Sequence, residues 1–378
     1  MHFCSGEGGN WGFIMLGGVQ LGLFAACIVL FVPMGMAGWH LSRNKMLFFS
    51  GALFISLAIG VHLTPYIPSV SDFVTTVSSV VVFDSRASCV SQLHEVVWEV
   101  KQSDEFNPLS NNSVNYEKSW KWGRSAPVIV CDFQKFAPMD AADLLNGSWV
   151  VVAGDSQARL IALSLLDLIL DSQRMEAIRG DLFKRHSNYQ IMIDESGMKL
   201  DFIWAPYASN LTDLMGEFKL NLSYPDVIIM GSGLWHMLHF TNASDFRLSL
   251  DSLRRSVVSL IPSTPNSDSE APLTGSISTR TPHLFWIGMP TLINSMLNTE
   301  EKRKKMTDLM KVAYDESLRK SRLLRSSGGP LLLLDIETLS WNCGVRCTVD
   351  GMHYDDVVYE AAIHIMLNAL LIESHQKL

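Results

Sequence analysis

The sequence predicts an α/β domain built on a parallel sheet and preceded by two membrane-crossing helices. Three observations carry this reading. Five short runs that are apolar on both faces alternate with longer stretches of helical spacing, and two long apolar runs open the chain. The 378 residues are also 48% hydrophobic with a positive mean hydropathy, which is high for a wholly soluble protein.

The apolar excess lies at the front. Residues 11–38 and 46–66 are each long enough to cross a bilayer, for which ~20 apolar residues suffice. Nothing before Trp11 is basic, and the first run is longer than the core of a cleaved signal, so it is read as a span. Arg43 and Lys45, between the runs, are the only Lys or Arg in the first 85 residues. They put the short loop on the cytosolic side and both ends of the chain on the other. Residues 67–85, with Pro68, Asp72 and many Ser and Thr, read as a stalk, and residues 86–378 as one domain long enough for a sizeable core.

Two further patterns agree with a lumenal placement. Asn-x-Ser/Thr acceptor sites occur at Asn111, Asn146, Asn210, Asn221 and Asn242, all after the second span. Cys4 and Cys27 belong to the membrane end, which leaves Cys89, Cys131, Cys343 and Cys347 as an even set in a compartment that permits disulfides. Their pairing stays open, although the two sulfurs of "CGVRC" suit a disulfide better than a metal, and no His and Cys cluster has metal-ligand spacing.

In the domain, the candidate buried strands are 148–153, 200–205, 226–230, 284–289 and 331–335, and the helical segments are 157–172, 245–260, 300–326 and 355–373. The stretch 262–282 has few apolar residues and reads as a surface loop. The net charge of −8 excludes a nucleic-acid partner. The basic run near residues 300–326 is interleaved with Glu300, Glu301, Asp308, Asp315 and Glu316 and reads as a solvated helix face.

Ligands of parallel sheets sit at the carboxyl ends of the strands, and there "VVAGDSQARL" places Gly154, Asp155 and Ser156 at a strand-to-helix junction. Asp155 or Ser156 suits a helix cap. Ser156 also suits a nucleophile, because backbone N–H groups at a helix start stabilise an oxyanion. The far end of the chain supplies the complement. In "TVDGMHYDD", Asp350 and His353 are three apart in a turn, a spacing that lets the carboxylate fix one ring nitrogen and leave the other to take the Ser156 proton. An α/β-hydrolase elbow fits less well, since "GDSQA" lacks the second Gly and the acid lies three residues before the His.

"GDSQAR" with a distant "DGMH" resembles the SGNH hydrolase superfamily, and within it the trichome-birefringence-like and Cas1p-like PC-esterases, over roughly Cys89 to Leu371. The hairpin followed by this domain is also similar to the plant altered-xyloglucan type. The resemblance implies a three-layer, flavodoxin-like parallel sheet and a Golgi membrane protein whose lumenal domain handles O-acetyl groups on wall polysaccharides such as xyloglucan and xylan. It implies Ser156 as nucleophile, His353 as general base, Asp350 as its orienter, and Arg159 at an oxyanion-stabilising position. One departure stands out: in "DVIIMGSGLWHML" Gly231 replaces a family Asn that helps form the oxyanion hole. The amides of Gly231 or Gly233, or the Ser232 hydroxyl, are the candidate substitutes; loss of one such donor lowers turnover by ~10²–10³ elsewhere. Trp235 and His236 are placed in the cleft, and Trp204, Tyr207 and Trp286 are candidates for stacking on sugar rings.

An acyl-serine is resolved equally well by water or by a sugar hydroxyl. The expected activity is therefore O-acetyl transfer to a polysaccharide acceptor, with an esterase, or an accessory protein of the polysaccharide acetylation machinery, as alternatives. No coenzyme or nucleotide signature is present, so no bound cofactor is expected and the acetyl donor is not readable.

Overall fold

The computed structural model describes residues 85–102, 116–261 and 282–374. Both expected spans, the stalk, Asn111 and residues 262–281 of the polar loop lie outside the described residues. The chain divides into two compact units, Met1–Asp84 and Ser85–Leu378, and the second carries all of the described elements.

In chain order these begin with α1 (Ser85–Gln92), an antiparallel pair β1 (Val96–Gln102) and β2 (Tyr116–Trp122), and two short helices, α2 (Ala126–Cys131) and α3 (Pro138–Leu144). The central strand β3 (Trp149–Gly154) leads into α4 (Ser156–Ile169), then α5 (Ser172–Leu182), β4 (Tyr189–Ile193) and β5 (Met198–Trp204). Next come α6 (Ala208–Asn221), β6 (Val227–Met230), α7 (Leu234–His239), α8 (Ala243–Val258) and β7 (His283–Ile287). The chain continues through α9 (Glu300–Lys305), α10 (Asp308–Lys320), β8 (Leu332–Leu334), α11 (Ile336–Cys343) and α12 (Asp356–Ser374).

The main sheet has the order β4-β5-β3-β6-β7-β8, with every pair parallel except the edge pair β4–β5. Strands β3, β6, β7 and β8 read as nearly continuous apolar runs because helices cover both faces of the sheet there, whereas β4 and β5 alternate. Val150 and Val152 point into one core with Ile161, Leu165 and Ile363, under α4 and α12. Val151 and Ala153 point into the other with Leu211, Leu250 and Tyr314, under α6, α8 and α10. Each of these Val side chains is fully buried, a transfer worth about 1.5–3 kcal/mol relative to exposure.

All five strands expected from the sequence are present. The expected helix over 300–326 is instead two helices, because Thr307 interrupts it and caps α10 by accepting from the Met310 N–H. Among the described residues, α12 alone is long and apolar enough to cross a membrane, yet its side chains from Val358 to Leu370, Glu360 excepted, are buried and its apolar ones lie in the core.

The disulfides pair Cys89 with Cys131 and Cys343 with Cys347. Asn146, Asn210, Asn221 and Asn242 are all exposed. Asn242 Oδ1 caps α8 and Asn210 Oδ1 accepts from the Tyr207 N–H. Both bonds use the amide oxygen and leave the nitrogen, where a glycan would attach, outside them.

Candidate active site

The position of Ser156 is made by a close approach of two strand ends. A Cβ on Gly154 would lie 2.5 Å from the Gly231 carbonyl oxygen and 2.8 Å from Ala158 Cβ, so only glycine lets β3 turn into α4 here. Asp155 then caps the helix, its carboxylate accepting from the Gln157 N–H at 2.9 Å. This answers which residue is the cap and releases the Ser156 hydroxyl for another partner. Burial pushes the Asp155 carboxyl up to about 6, against the opposing pull of the Gln157 N–H and of His353.

That other partner is His353. Its Nε2 lies 2.8 Å from Ser156 Oγ, and its Nδ1 lies 2.7 Å from Asp350 Oδ2. With Nδ1–H donated to the carboxylate, Nε2 is left to accept the serine proton. The turn that holds the pair is itself pinned. Asp350 Oδ1 accepts the N–H of Met352 at 2.9 Å and of His353 at 2.7 Å, while Thr348 Oγ1 accepts from the Gly351 N–H and donates to the His353 carbonyl. Gly351 has φ +74°, and a Cβ there would lie 2.5 Å from the Ile293 carbonyl. Burial pushes the Asp350 carboxyl up, but its bonds from His353 and Met352 outweigh that and hold it below the usual carboxylate value.

A second set of bonds fixes this turn against the first turn of α4. Gln157 donates to the Met352 carbonyl at 3.0 Å and accepts from the Tyr359 hydroxyl at 2.8 Å. Tyr359 in turn accepts from the Tyr354 N–H, and all three side chains are buried.

Ser156 and His353 open into a cavity of about 310 Å³. Trp204 and Trp235 line it, edge to face with ring centroids 5.4 Å apart, and His186 stacks on Trp204 at 4.8 Å. Arg159 lines it as well, but not as a surface residue. It is only 8% exposed, lies over the rings of Trp204 and Phe202 at 5.0 and 5.2 Å, and has no acceptor for its buried Nε and Nη2. Burial lowers its pKa.

Several expected site residues fall elsewhere. The Gly231 N–H is bonded to the Ala153 carbonyl at 3.1 Å as a continuation of the β3–β6 pairing, so it is not a free oxyanion donor. A Cβ at Gly231 would lie 2.7 Å from Ile287 Cβ, which leaves no room for an Asn. The Ser232 hydroxyl is buried without a partner. Gly233 caps α7 at φ +141°, where a Cβ would meet Met289 Sδ at 2.6 Å. Among the described residues, no hydrogen bond uses the N–H of Ser156 or Gly233.

His236 is buried away from the cavity, 2.7 Å from the Tyr314 hydroxyl, with its pKa lowered by burial against the opposing influence of Asp245. Trp286 is core on β7, and Tyr207 bonds His239 beside the Trp235 ring. Sequence reasoning missed Phe183, Arg185, His186, Lys302 and Met306, which also line the cavity. They come from the loop after α5 and from α9 and the residue that ends it, Met306, and the chain has no local pattern that ties them to Ser156.

No protein-family profile matches the chain. Protein ALTERED XYLOGLUCAN 9 of Arabidopsis thaliana is 60% identical over 371 residues, which cover 96% of this chain and 100% of that relative. The chain belongs to the trichome-birefringence-like family, in its altered-xyloglucan type. Among solved structures, a mutant of Axe2, an acetyl-xylooligosaccharide esterase from Geobacillus Stearmophilus, matches with TM-score 0.33 and 10% identity, covering 60% of this chain and 96% of its own. That overlap is too loose to transfer anything to this chain.

Proposed function

We propose that this protein is a Golgi-lumenal O-acetyltransferase that passes acetyl groups through an acyl-Ser156 intermediate to hydroxyls of wall polysaccharides, xyloglucan or xylan. The observation that carries this is the unbroken hydrogen-bonded line Asp350–His353–Ser156 at the mouth of the cavity. Family membership beside a protein named for altered xyloglucan supports the polysaccharide. The two N-terminal apolar runs and the exposed sequons support the membrane and lumenal placement.

In the first half-reaction Ser156 Oγ bonds to the acetyl carbon while its proton moves to His353 Nε2, and Asp350 stabilises the imidazolium through Nδ1–H. The amides of Ser156 and Gly233 are the donors for the tetrahedral oxyanion. Collapse breaks the carbon–oxygen bond to the leaving group, which takes the proton from His353. In the second half an acceptor hydroxyl gives its proton to His353, bonds to the acyl carbon and releases Ser156, which recovers the proton. Trp235 on the cavity wall is the ring suited to a sugar, since His186 and Arg159 already lie over Trp204.

Gly231 favours a second reading. Its amide is engaged within the sheet where the family places an oxyanion-binding Asn, which suits an accessory protein that binds without turnover. Intact-mass measurement of the full-length chain after incubation with a neutral acetyl ester, beside Ser156→Ala, separates the two. An acetyl adduct on Ser156 discharged faster by xyloglucan or xylan oligomers than by water establishes the transferase. Discharge by water alone makes it an esterase, and no adduct in folded protein leaves the accessory role.

A further inference from the structure

The cavity at Ser156 carries an excess of positive charge that the chain itself does not answer. Arg159 from α4, Arg185 from the loop after α5, and Lys302 from α9 reach it from three separate segments. No Asp or Glu lines it. The acids nearest in sequence to Lys302 are committed elsewhere, Glu300 to Lys304 and Glu301 to Lys305. No ion pair is found for Arg159, Arg185 or Lys302 among the described residues.

Arg159 is the informative member. Exposed lysines and arginines lack partners at no cost, since water serves them, but Arg159 is buried and two of its three guanidinium nitrogens, Nε and Nη2, are out of reach of water. Aromatic rings at Trp204, Phe202 and Phe183 cover its faces. Such rings partly offset the lost hydration, yet they offer nothing to the N–H groups along its edge. Nε and Nη2 stay without an acceptor, and Nη1 is the nitrogen of this group that is not sealed off, so a ligand in the cavity meets Arg159 there. A buried cation held in place by its surroundings and left without a counter-charge is complete only when a ligand brings one.

We propose that Arg159, Arg185 and Lys302 form a binding site for an oxyanion, a phosphate or a carboxylate, carried by the ester whose acetyl group Ser156 takes. This deepens the acyl-serine reading and rests on it for the ester; the anion site itself stands on the three cations. Arg159 lies one turn beyond Ser156 on the same helix, so the anion sits within the same small molecule or sugar residue as the reacting carbonyl. Two sources share this chemistry: a small phosphorylated acetyl donor, and an acetylated sugar that bears a carboxylate.

The test is equilibrium binding by titration calorimetry to full-length Ser156→Ala protein, which cannot turn over, with inorganic phosphate, glucuronate and neutral glucose as probes. At least one anion is expected to bind at least about tenfold more tightly than glucose, with affinity falling as salt rises. Phosphate as the tighter probe indicates the phosphorylated donor, and glucuronate the acidic sugar. Adding Arg159→Gln is expected to weaken that binding about tenfold or more. Arg185→Gln with Lys302→Gln, at less buried positions that do not test folding, is expected to weaken it and flatten its salt dependence. Equal binding of both anions and glucose, or affinity unchanged in the Arg185→Gln/Lys302→Gln protein, overturns the proposal. An acetyl adduct on wild-type Ser156 without anion binding retains the transferase and removes this site. Anion binding without any adduct does the reverse.

Discussion

The two walls of the cavity are built by opposite means. On one, each polar group has its partner within the chain: Asp350 receives three hydrogen bonds, His353 uses both ring nitrogens, and Gln157 ties their turn to α4. On the other, Arg159 is buried among aromatic rings with its N–H edge unanswered. The first wall is preorganised for a reaction whose charges appear and vanish within one cycle. The second holds a permanent charge and is completed from outside. Side chains of the first should therefore govern turnover, and those of the second should govern which ester is bound.

The largest expected effect breaks the first wall. Ser156→Ala or His353→Ala should abolish acyl-enzyme formation, lowering turnover by about 10³–10⁶, while the fold persists by circular dichroism. Asp350→Asn follows at about 10³–10⁴, because the ring loses the carboxylate that orients it and stabilises its charged form. In the wild type the Asp350 carboxyl is held low, so its contribution is present above the usual carboxylate value and disappears as pH falls through the lowered one. Denaturant melts should show the wild type losing stability relative to Asp350→Asn as pH falls through that lowered value.

Smaller effects concern stability. Asp155 is raised to about 6 by burial. Its neutral form is the favoured one in the folded protein, and this contribution is fully present below about pH 4 and is lost as pH rises through 6, a change of about 3 kcal/mol. Denaturant melts should show wild type losing ground to Asp155→Asn over that interval, since the Asn still accepts from the Gln157 N–H but does not ionise. A parallel pH dependence of the two proteins would contradict the assignment. Gly231→Ala should cost about 1–3 kcal/mol, from the collision with Ile287, and Ile287→Ala in the same chain should not recover it, because the colliding Cβ and carbonyl oxygen survive that truncation. Arg159→Met sharpens the contrast between walls. Removing a buried cation without a partner should leave stability unchanged or raise it by about 1–2 kcal/mol in melts without anions, whereas a Met at any triad position has no such compensation.

Legibility in the sequence follows the same division. β3, β6, β7 and β8 are readable because burial on both faces makes their sequences almost uniformly apolar, and β5 is readable from its apolar end, Phe202–Trp204, in spite of Lys199 and Asp201. The β1–β2 pair was not, since "VVWEVKQ" and "YEKSWKW" mix charges and aromatics on a half-exposed ribbon. The antiparallel edge strand β4, "YQIMI", and helix α6 were also missed, being short or of weak amphipathic pattern. Ser156, Asp350 and His353 were readable because each sits in a local motif at a junction where the chain turns. That the Gly231 amide is engaged depends on register with Ala153, far away in the chain. Arg185, Lys302 and the burial of Arg159 likewise exist only once distant segments pack together, and no local spacing encodes them.

Ser156 and His353 are 197 residues apart, and what closes that separation is the Gln157–Tyr359 bond between the first turn of α4 and helix α12. During synthesis Ser156 therefore leaves the ribosome long before His353. Until α12 docks, the β3–α4 unit also lacks the helix that fills its core face. Under the proposed mechanism, the order of emergence would act as a safeguard. A nascent or prematurely terminated chain presents a serine on an unfinished sheet with no group to take its proton, so reactivity and completion of the fold arrive together.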